Sequence, residues 1–202
     1  MIIGLTGTYC AGKNLIARCL EARGLAVLDV DKLGFKVIET EKSAILDRFG
    51  QDLTGSGGTI DRKLLGERVF GKPKELAALE DIIHPAVNRE TLVWIKEQQG
   101  KICVINAALL HRSSAFNALD AIIIVEAPLF TRLLRARRRD KLPWAALLRR
   151  FRSQKTFPSQ YLSGKADIYR VENRGYFGIN DHQLRRSTRD RMDEIFSLLG
   201  LR

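Results

Sequence analysis

Gly7, Gly12 and Lys13 hold the Walker A spacing in the run Gly7-Thr8-Tyr9-Cys10-Ala11-Gly12-Lys13-Asn14, which follows an apolar segment and leads into helix-forming residues. Strand, glycine loop and helix in that order turn successive backbone N–H groups inward and aim a helix N-terminus at the loop's contents, which favours an anion. A polyphosphate is the expected guest, contacted by Thr8, Tyr9, Cys10, Ala11, Gly12, Lys13, Asn14 and Leu15. Lys13 would reach the β- and γ-phosphates as a point charge, so that catalysis there is positioning and charge neutralisation.

Other residues have the chemistry to complete a transfer reaction. Asp31, just past the second apolar run, can accept a proton from an attacking hydroxyl. An Asp ahead of a helical stretch is also a favoured N-cap, and the two roles are compatible. Asp29, two residues earlier, is expected on the same side of an extended backbone, where it would assist a metal or orient substrate. Arg62 offers a planar fork for a phosphate of the acceptor, and His84 a hydrogen bond to the acceptor or a brace for its subdomain. Pro85 is expected to interrupt the helix at that point and leave the imidazole accessible. Arg135 and Arg139, four apart, share a helix face and could close over a nucleotide, with Arg139 stabilising charge on the transferring group. His111 and His182 show no metal spacing and receive no role.

The elements that must position these groups read as alternating strands and helices. Apolar runs bounded by turn signals fall at 1–6, 25–29, 101–107 and 121–126, with a weaker one at 168–172. Such alternation implies an α/β fold, a parallel sheet with helices on both faces, and ligands bound outside the carboxyl ends of the strands. The loop, Asp29, Asn106 and Glu126 would converge at that edge. Residues 32–100 read as a helical insert broken at Gly55-Ser56-Gly57-Gly58, and 128–165 as a second helical insert. Residues 181–199 read as a terminal helix covering the sheet.

Composition narrows the class. At 202 residues and 45% hydrophobic the chain can bury one sizeable core with a small appended unit. Cys10, Cys19 and Cys103 lack paired spacing, which argues against a disulfide scaffold or zinc knuckle and fits a reducing cytoplasm. No apolar run approaches the roughly 20 residues that span a bilayer, so no membrane partner is expected. The net charge of +11 calls for an anionic partner or a solvated basic face, and much of the excess lies between Arg132 and Lys155. That segment lacks interleaved aromatics, zinc spacing and a recognition-helix motif, so a phosphate-closing lid is expected there rather than a nucleic-acid surface.

Taken together, the chain resembles the dephospho-coenzyme A kinase family. The residues that carry the resemblance are Gly4-Leu5-Thr6-Gly7 with Gly12-Lys13, Asp29-Val30-Asp31, Phe49-Gly50, Thr59-Ile60-Asp61-Arg62, Leu65-Gly66, Val69-Phe70, Leu79-Glu80 and His84-Pro85. Farther on come Leu109-Leu110, Arg135, Arg139-Asp140, Gln154, Ala166-Asp167 and Asn173. The resemblance implies a P-loop NTPase three-layer fold in a single domain: a nucleotide-binding core over 1–31, 101–127 and 166–202, an acceptor-binding insert over 32–100 and a basic lid over 128–165. It implies ATP and Mg²⁺, with γ-phosphoryl transfer to the 3′-hydroxyl of dephospho-coenzyme A, the last step of coenzyme A biosynthesis. Lys13, Asp31 and Arg139 are then the expected catalytic residues, Asp29, Arg62 and His84 the expected acceptor-binding residues, and Asn14 the metal ligand.

The chain departs from the family pattern where metal chemistry is expected. Asn14 stands at the position of a Ser or Thr whose hydroxyl binds Mg²⁺, and Asn106 at that of an acid. Ala108 and Arg112 replace the Pro and the acid of the usual Pro-Leu-Leu-x-Glu segment, and 155–165 is slightly long and lacks an expected arginine. Two alternatives stay open on these residues: a kinase for another hydroxyl acceptor, and a nucleotide-binding regulatory protein. Sequence sets no oligomeric state.

Overall fold

The computed structural model describes residues 1–55, 57–152, 161, 165–175 and 185–201. Its frame is a parallel sheet of β1 (Ile2–Gly7), β2 (Ala26–Asp29), β3 (Cys103–Asn106), β4 (Ala121–Glu126) and β5 (Asp167–Glu172), in the order β2-β3-β1-β4-β5. Registers Leu5↔Asn106 and Gly7↔Val125 bring the carboxyl ends of β1, β3 and β4 to one edge. β4 is buried from Ala121 through Val125, as a strand covered on both faces must be, so its apolar run was unbroken in the sequence. β5 lies at the sheet's end with mostly exposed or half-buried residues, which explains its weaker apolar signal.

The chain divides into two compact units, Met1–Leu28 with Gln98–Arg202, and Asp29–Glu97. In the first, α1 (Lys13–Ala22) buries Ile16, Ala17 and Leu20, and α8 (Arg186–Leu198) buries Met192, Ile195 and Phe196. These join Ile3, Leu5, Val104, Ile123 and Val125 in one apolar core. Burying such side chains is worth roughly 1.5–3 kcal/mol each. Of the expected terminal helix, 181–184 lie outside the described residues. The helices α6 (Leu129–Asp140) and α7 (Trp144–Arg152) carry most of the basic cluster.

The second unit is helical: α2 (Val30–Thr40), α3 (Lys42–Phe49), α4 (Arg62–Val69) and α5 (Pro73–Glu97) close over Ile45, Phe49, Leu53, Ile60, Leu65, Val69 and Leu79. Its Ile-Asp-Arg segment divides by function. Ile60 is buried, Asp61 caps α4 by accepting from Lys63 N (2.9 Å) and Leu64 N (3.1 Å), and Arg62 opens the helix on the exposed side.

Two expectations are corrected here. Pro85 does not interrupt its helix, because α5 runs unbroken from Pro73 to Glu97. A proline costs one backbone hydrogen bond and a steric contact with the preceding turn, and buried Leu79, Ala86 and Thr91 hold the helix on both sides of it. Nor do Asp29 and Asp31 share an extended backbone. Asp29 closes β2 and caps α2, accepting from Lys32 N at 3.1 Å, while Asp31 already lies in the first helical turn, where residues two apart do not share a face.

Candidate active site

The loop between β1 and α1 is shaped by two left-handed residues. Cys10 has φ +60° and Gly12 φ +94°, and reversals of this kind turn neighbouring amides toward one concavity. Thr8 N donates to Val125 O (3.1 Å) and Ala11 N to Thr8 O (2.9 Å), which fix the loop against β4. Gly12 caps α1, and Lys13 is its first residue. The helix offers its first amides and the positive end of its dipole to the same space.

The loop is held from behind. Asn173, buried just after β5, donates its Nδ2 to Ala11 O (2.9 Å), and Arg135 of α6 donates to Ala11 O (3.0 Å), Cys10 O (3.4 Å) and Asn173 O (3.4 Å). Arg135 therefore braces the loop's carbonyls, a scaffolding role that helical spacing alone could not separate from a role over the nucleotide. A Cβ at Gly12 would collide with the Asn173 amide nitrogen, so the position needs glycine for space as well as for φ.

Arg139 sits over the Tyr9 ring, 5.2 Å from its centroid, and pairs with Asp140 at 2.7 Å. The Tyr9 hydroxyl donates to Asp140, and Arg150 of α7 reaches both at 3.3 Å. Hydrogen bonding from Arg139 holds the Asp140 carboxyl below its ordinary range, and burial with the Asp140 bond pushes the Tyr9 phenol upward. Cys10 lies among Arg132, Arg135 and Arg139, but burial pushes its thiol up, so it is not a ready thiolate. The Lys155–Lys165 stretch lies almost wholly outside the described residues.

Where metal chemistry is expected, two amides meet: Asn106 Nδ2 donates to Asn14 Oδ1 at 3.3 Å. Asn106 is buried at the end of β3, and its own Oδ1, like Thr8 Oγ1, is a buried polar atom with no partner among the described residues. Orphaned groups are rare and expensive, and a ligand in the loop would satisfy them. No group of three or more His, Cys, Asp or Glu side chains is placed to hold a metal among the described residues. Mg²⁺ does not need one, since it keeps several waters and relies on a few oxygens and the phosphates. The amide oxygens of Asn14 and Asn106 are hard donors and fit it.

Behind the loop, Tyr161 is fully buried with its hydroxyl 3.3 Å from Thr6 Oγ1 and 3.3 Å from His111 Nδ1. This assigns His111 a packing role that its spacing did not reveal. A groove of about 490 Å³ lined by Leu25, Ala26, Lys101 and Ile102 lies at the opposite, amino ends of β2 and β3, away from the phosphate loop.

The remaining expected residues lie in the helical unit. Arg62 stacks on the exposed Phe35 ring at 5.1 Å. His84 is exposed midway along α5, and Asp31 is exposed on α2. Asp29 is committed to its cap and to an ion pair with Lys32 at 3.7 Å.

The fold and chain both have relatives. A crystal structure from Thermus thermophilus superposes with a TM-score of 0.79 at 27% identity, covering 100% of this chain and 98% of that one. A shikimate kinase from Bacteroides thetaiotaomicron shares the fold, with a TM-score of 0.56 at 14% identity and coverage of 100% and 99%. Dephospho-CoA kinase from Treponema pallidum is 32% identical over 86% of this chain and 87% of its own length. That of Shouchella clausii is 34% identical over 87% and 90%. The family model described as dephospho-CoA kinase matches residues 1–172, and with it this chain belongs to the dephospho-CoA kinase family.

Proposed function

We propose that the protein transfers the γ-phosphoryl group of ATP to the 3′-hydroxyl of dephospho-coenzyme A. The observation that carries this reading is the loop itself: left-handed Cys10 and Gly12, the α1 N-terminus and Lys13 in a chain that matches this family over residues 1–172. Lys13 binds the β- and γ-phosphates, and the loop amides hold the chain of phosphates in line. Asp31 takes the proton of the ribose hydroxyl as that oxygen bonds to the γ-phosphorus and the bridging P–O bond breaks to release ADP. Arg139 stabilises charge on the group in transfer, and Arg62 and His84 bind the acceptor. Mg²⁺ held near Asn14 and Asn106 would neutralise charge on the phosphate oxygens. Asp29 is better used as the cap that fixes the start of α2, and so the placement of Asp31, than as a ligand. The free thiols Cys10, Cys19 and Cys103 fit a cytoplasmic enzyme.

The test is a purified-protein assay with ATP, Mg²⁺ and dephospho-coenzyme A, following ADP and coenzyme A together. Matched formation of both, lost in Lys13→Ala and in Asp31→Asn, supports the reading. ADP without coenzyme A points to another acceptor, and nucleotide binding without turnover to a regulatory protein.

A further inference from the structure

Asn14 and Asn106 are 92 positions apart in sequence, and each replaces a residue type that the family resemblance leads one to expect, a hydroxyl at one and an acid at the other. The fold brings them together, with Asn106 Nδ2 donating to Asn14 Oδ1. The two substitutions are chemically matched. A carboxylate at 106 can only accept, so it would draw the Asn14 amide nitrogen toward itself and turn Asn14 Oδ1 away, whereas an amide supplies a donor that Asn14 Oδ1 can accept. Asn14 is exposed beside Lys13, so it can meet a ligand. Asn106 is 1% exposed and leaves its Oδ1 without a partner among the described residues. A buried acceptor of that kind calls for a donor brought by something that binds.

We propose that Asn106 is a positioning residue for Asn14, and that the two amides act as one charge-neutral unit toward a hydrated divalent cation. Asn106 fixes Asn14 through Nδ2 and accepts a hydrogen bond from a cation-carried water on Oδ1. The unit lacks the negative charge of an acid-containing site, so cation affinity depends on the pairing of the amides and on the phosphates rather than on a carboxylate. This inference rests on the Mg²⁺·ATP reading above.

The experiment is calorimetric binding of a non-hydrolysable ATP analogue over a series of Mg²⁺ concentrations, with thermal unfolding of every variant as a control. Wild-type protein should bind the analogue in a Mg²⁺-dependent way; if it does not, the proposed function fails together with this inference. Asn14→Ala and Asn106→Ala should each weaken the apparent Mg²⁺ affinity about tenfold, and the double variant should be no weaker than the singles, the signature of residues that act as a pair. Asn106→Asp keeps the shape, removes the donor and adds a charge, and because the pairing is already lost its Mg²⁺ affinity should be insensitive to a further Asn14→Ala change. Additive losses, including a further loss when Asn14→Ala is added to Asn106→Asp, or Mg²⁺ dependence unchanged in folded Asn106→Ala, would overturn the pairing while leaving the kinase reading intact.

Discussion

The phenol of Tyr9, in the middle of the phosphate loop, donates a hydrogen bond to the carboxylate of Asp140, the last residue of α6, 131 positions away. The same carboxylate pairs with Arg139 and Arg150, and both guanidiniums lie within 5.9 Å of the Tyr9 ring centroid. Phe151 of α7 meets that ring edge-on at 5.3 Å. One loop side chain thus fastens two basic helices to the phosphate site and sets where Arg139 rests.

Removing the hydroxyl should loosen that fastening while leaving the ring. Tyr9→Phe forfeits a hydrogen bond to a charged group, worth roughly 1.5–3 kcal/mol when fully buried and about 1 kcal/mol here because Arg139 and Arg150 still hold Asp140. Steady-state kinetics should show KM for ATP raised about fivefold with kcat changed less. Tyr9→Ala, which also removes the stack under Arg139, should lower kcat as well. A Tyr9→Phe enzyme with wild-type KM would show that the fastening is irrelevant to nucleotide binding.

The fold was legible because its signals are local. Unbroken apolar runs mark the strands of a covered parallel sheet, and the loop's spacing is a property of eight consecutive residues. The site was half legible. Tyr9 reads as a loop residue, but its bond to Asp140 exists only once the fold closes, and the same holds for Asn173 on Ala11 O and Asn106 on Asn14. The spacing of Asp29 and Asp31 suggests one side of an extended backbone because helix α2 begins at Val30, directly after β2 ends at Asp29, and a boundary that abrupt leaves no turn residue to mark it.

The fastening should be insensitive to pH over a wide interval. Arg139 holds the Asp140 carboxyl below its ordinary 3.8, so its contribution is present above 3.8 and is lost only as pH falls through the lower folded value. Burial, followed by the Asp140 bond, raises the Tyr9 phenol above 10.0, so its contribution is present below 10.0 and is lost as pH rises through the higher folded value. Difference absorbance at phenolate wavelengths between wild type and Tyr9→Phe should therefore titrate above pH 10.0, and the midpoint should move down in Asp140→Asn. A Tyr9 midpoint at or below 10.0 would contradict the burial and bonding described.

The brace behind the loop predicts a graded pair of glycine variants. Gly12→Ala places a Cβ against the Asn173 amide at φ +94°, whereas Gly57→Ala at φ +92° meets nothing within 4 Å. Both incur left-handed strain of about 1–2 kcal/mol, but Gly12→Ala alone must displace Asn173 from Ala11 O. Urea unfolding should show the larger loss for Gly12→Ala, and nucleotide titration should show binding abolished there and retained in Gly57→Ala. Asn173→Ala should reproduce part of the Gly12→Ala defect, at about 1 kcal/mol for the lost hydrogen bond, because Arg135 still donates to Ala11 O. Equal effects at both glycines would reduce the brace to backbone strain.

Pro85 gives a test of opposite sign. It sits inside α5 with helix on both sides, so the carbonyl four residues earlier, at Asp81, loses its N–H partner. Pro85 is exposed, and Ala at that position would restore the donor without filling buried space. Pro85→Ala should therefore stabilise the protein by about 1–3 kcal/mol in urea unfolding, a fraction of the cost of an interior proline because α5 has already adapted to the ring. If His84 binds the acceptor, the same variant should change KM for dephospho-coenzyme A and leave KM for ATP alone, since the neighbouring turn shifts in the helical unit only. A destabilised Pro85→Ala would mean that the ring, by setting the path of α5 past buried Ala86, contributes more to packing than the missing hydrogen bond costs.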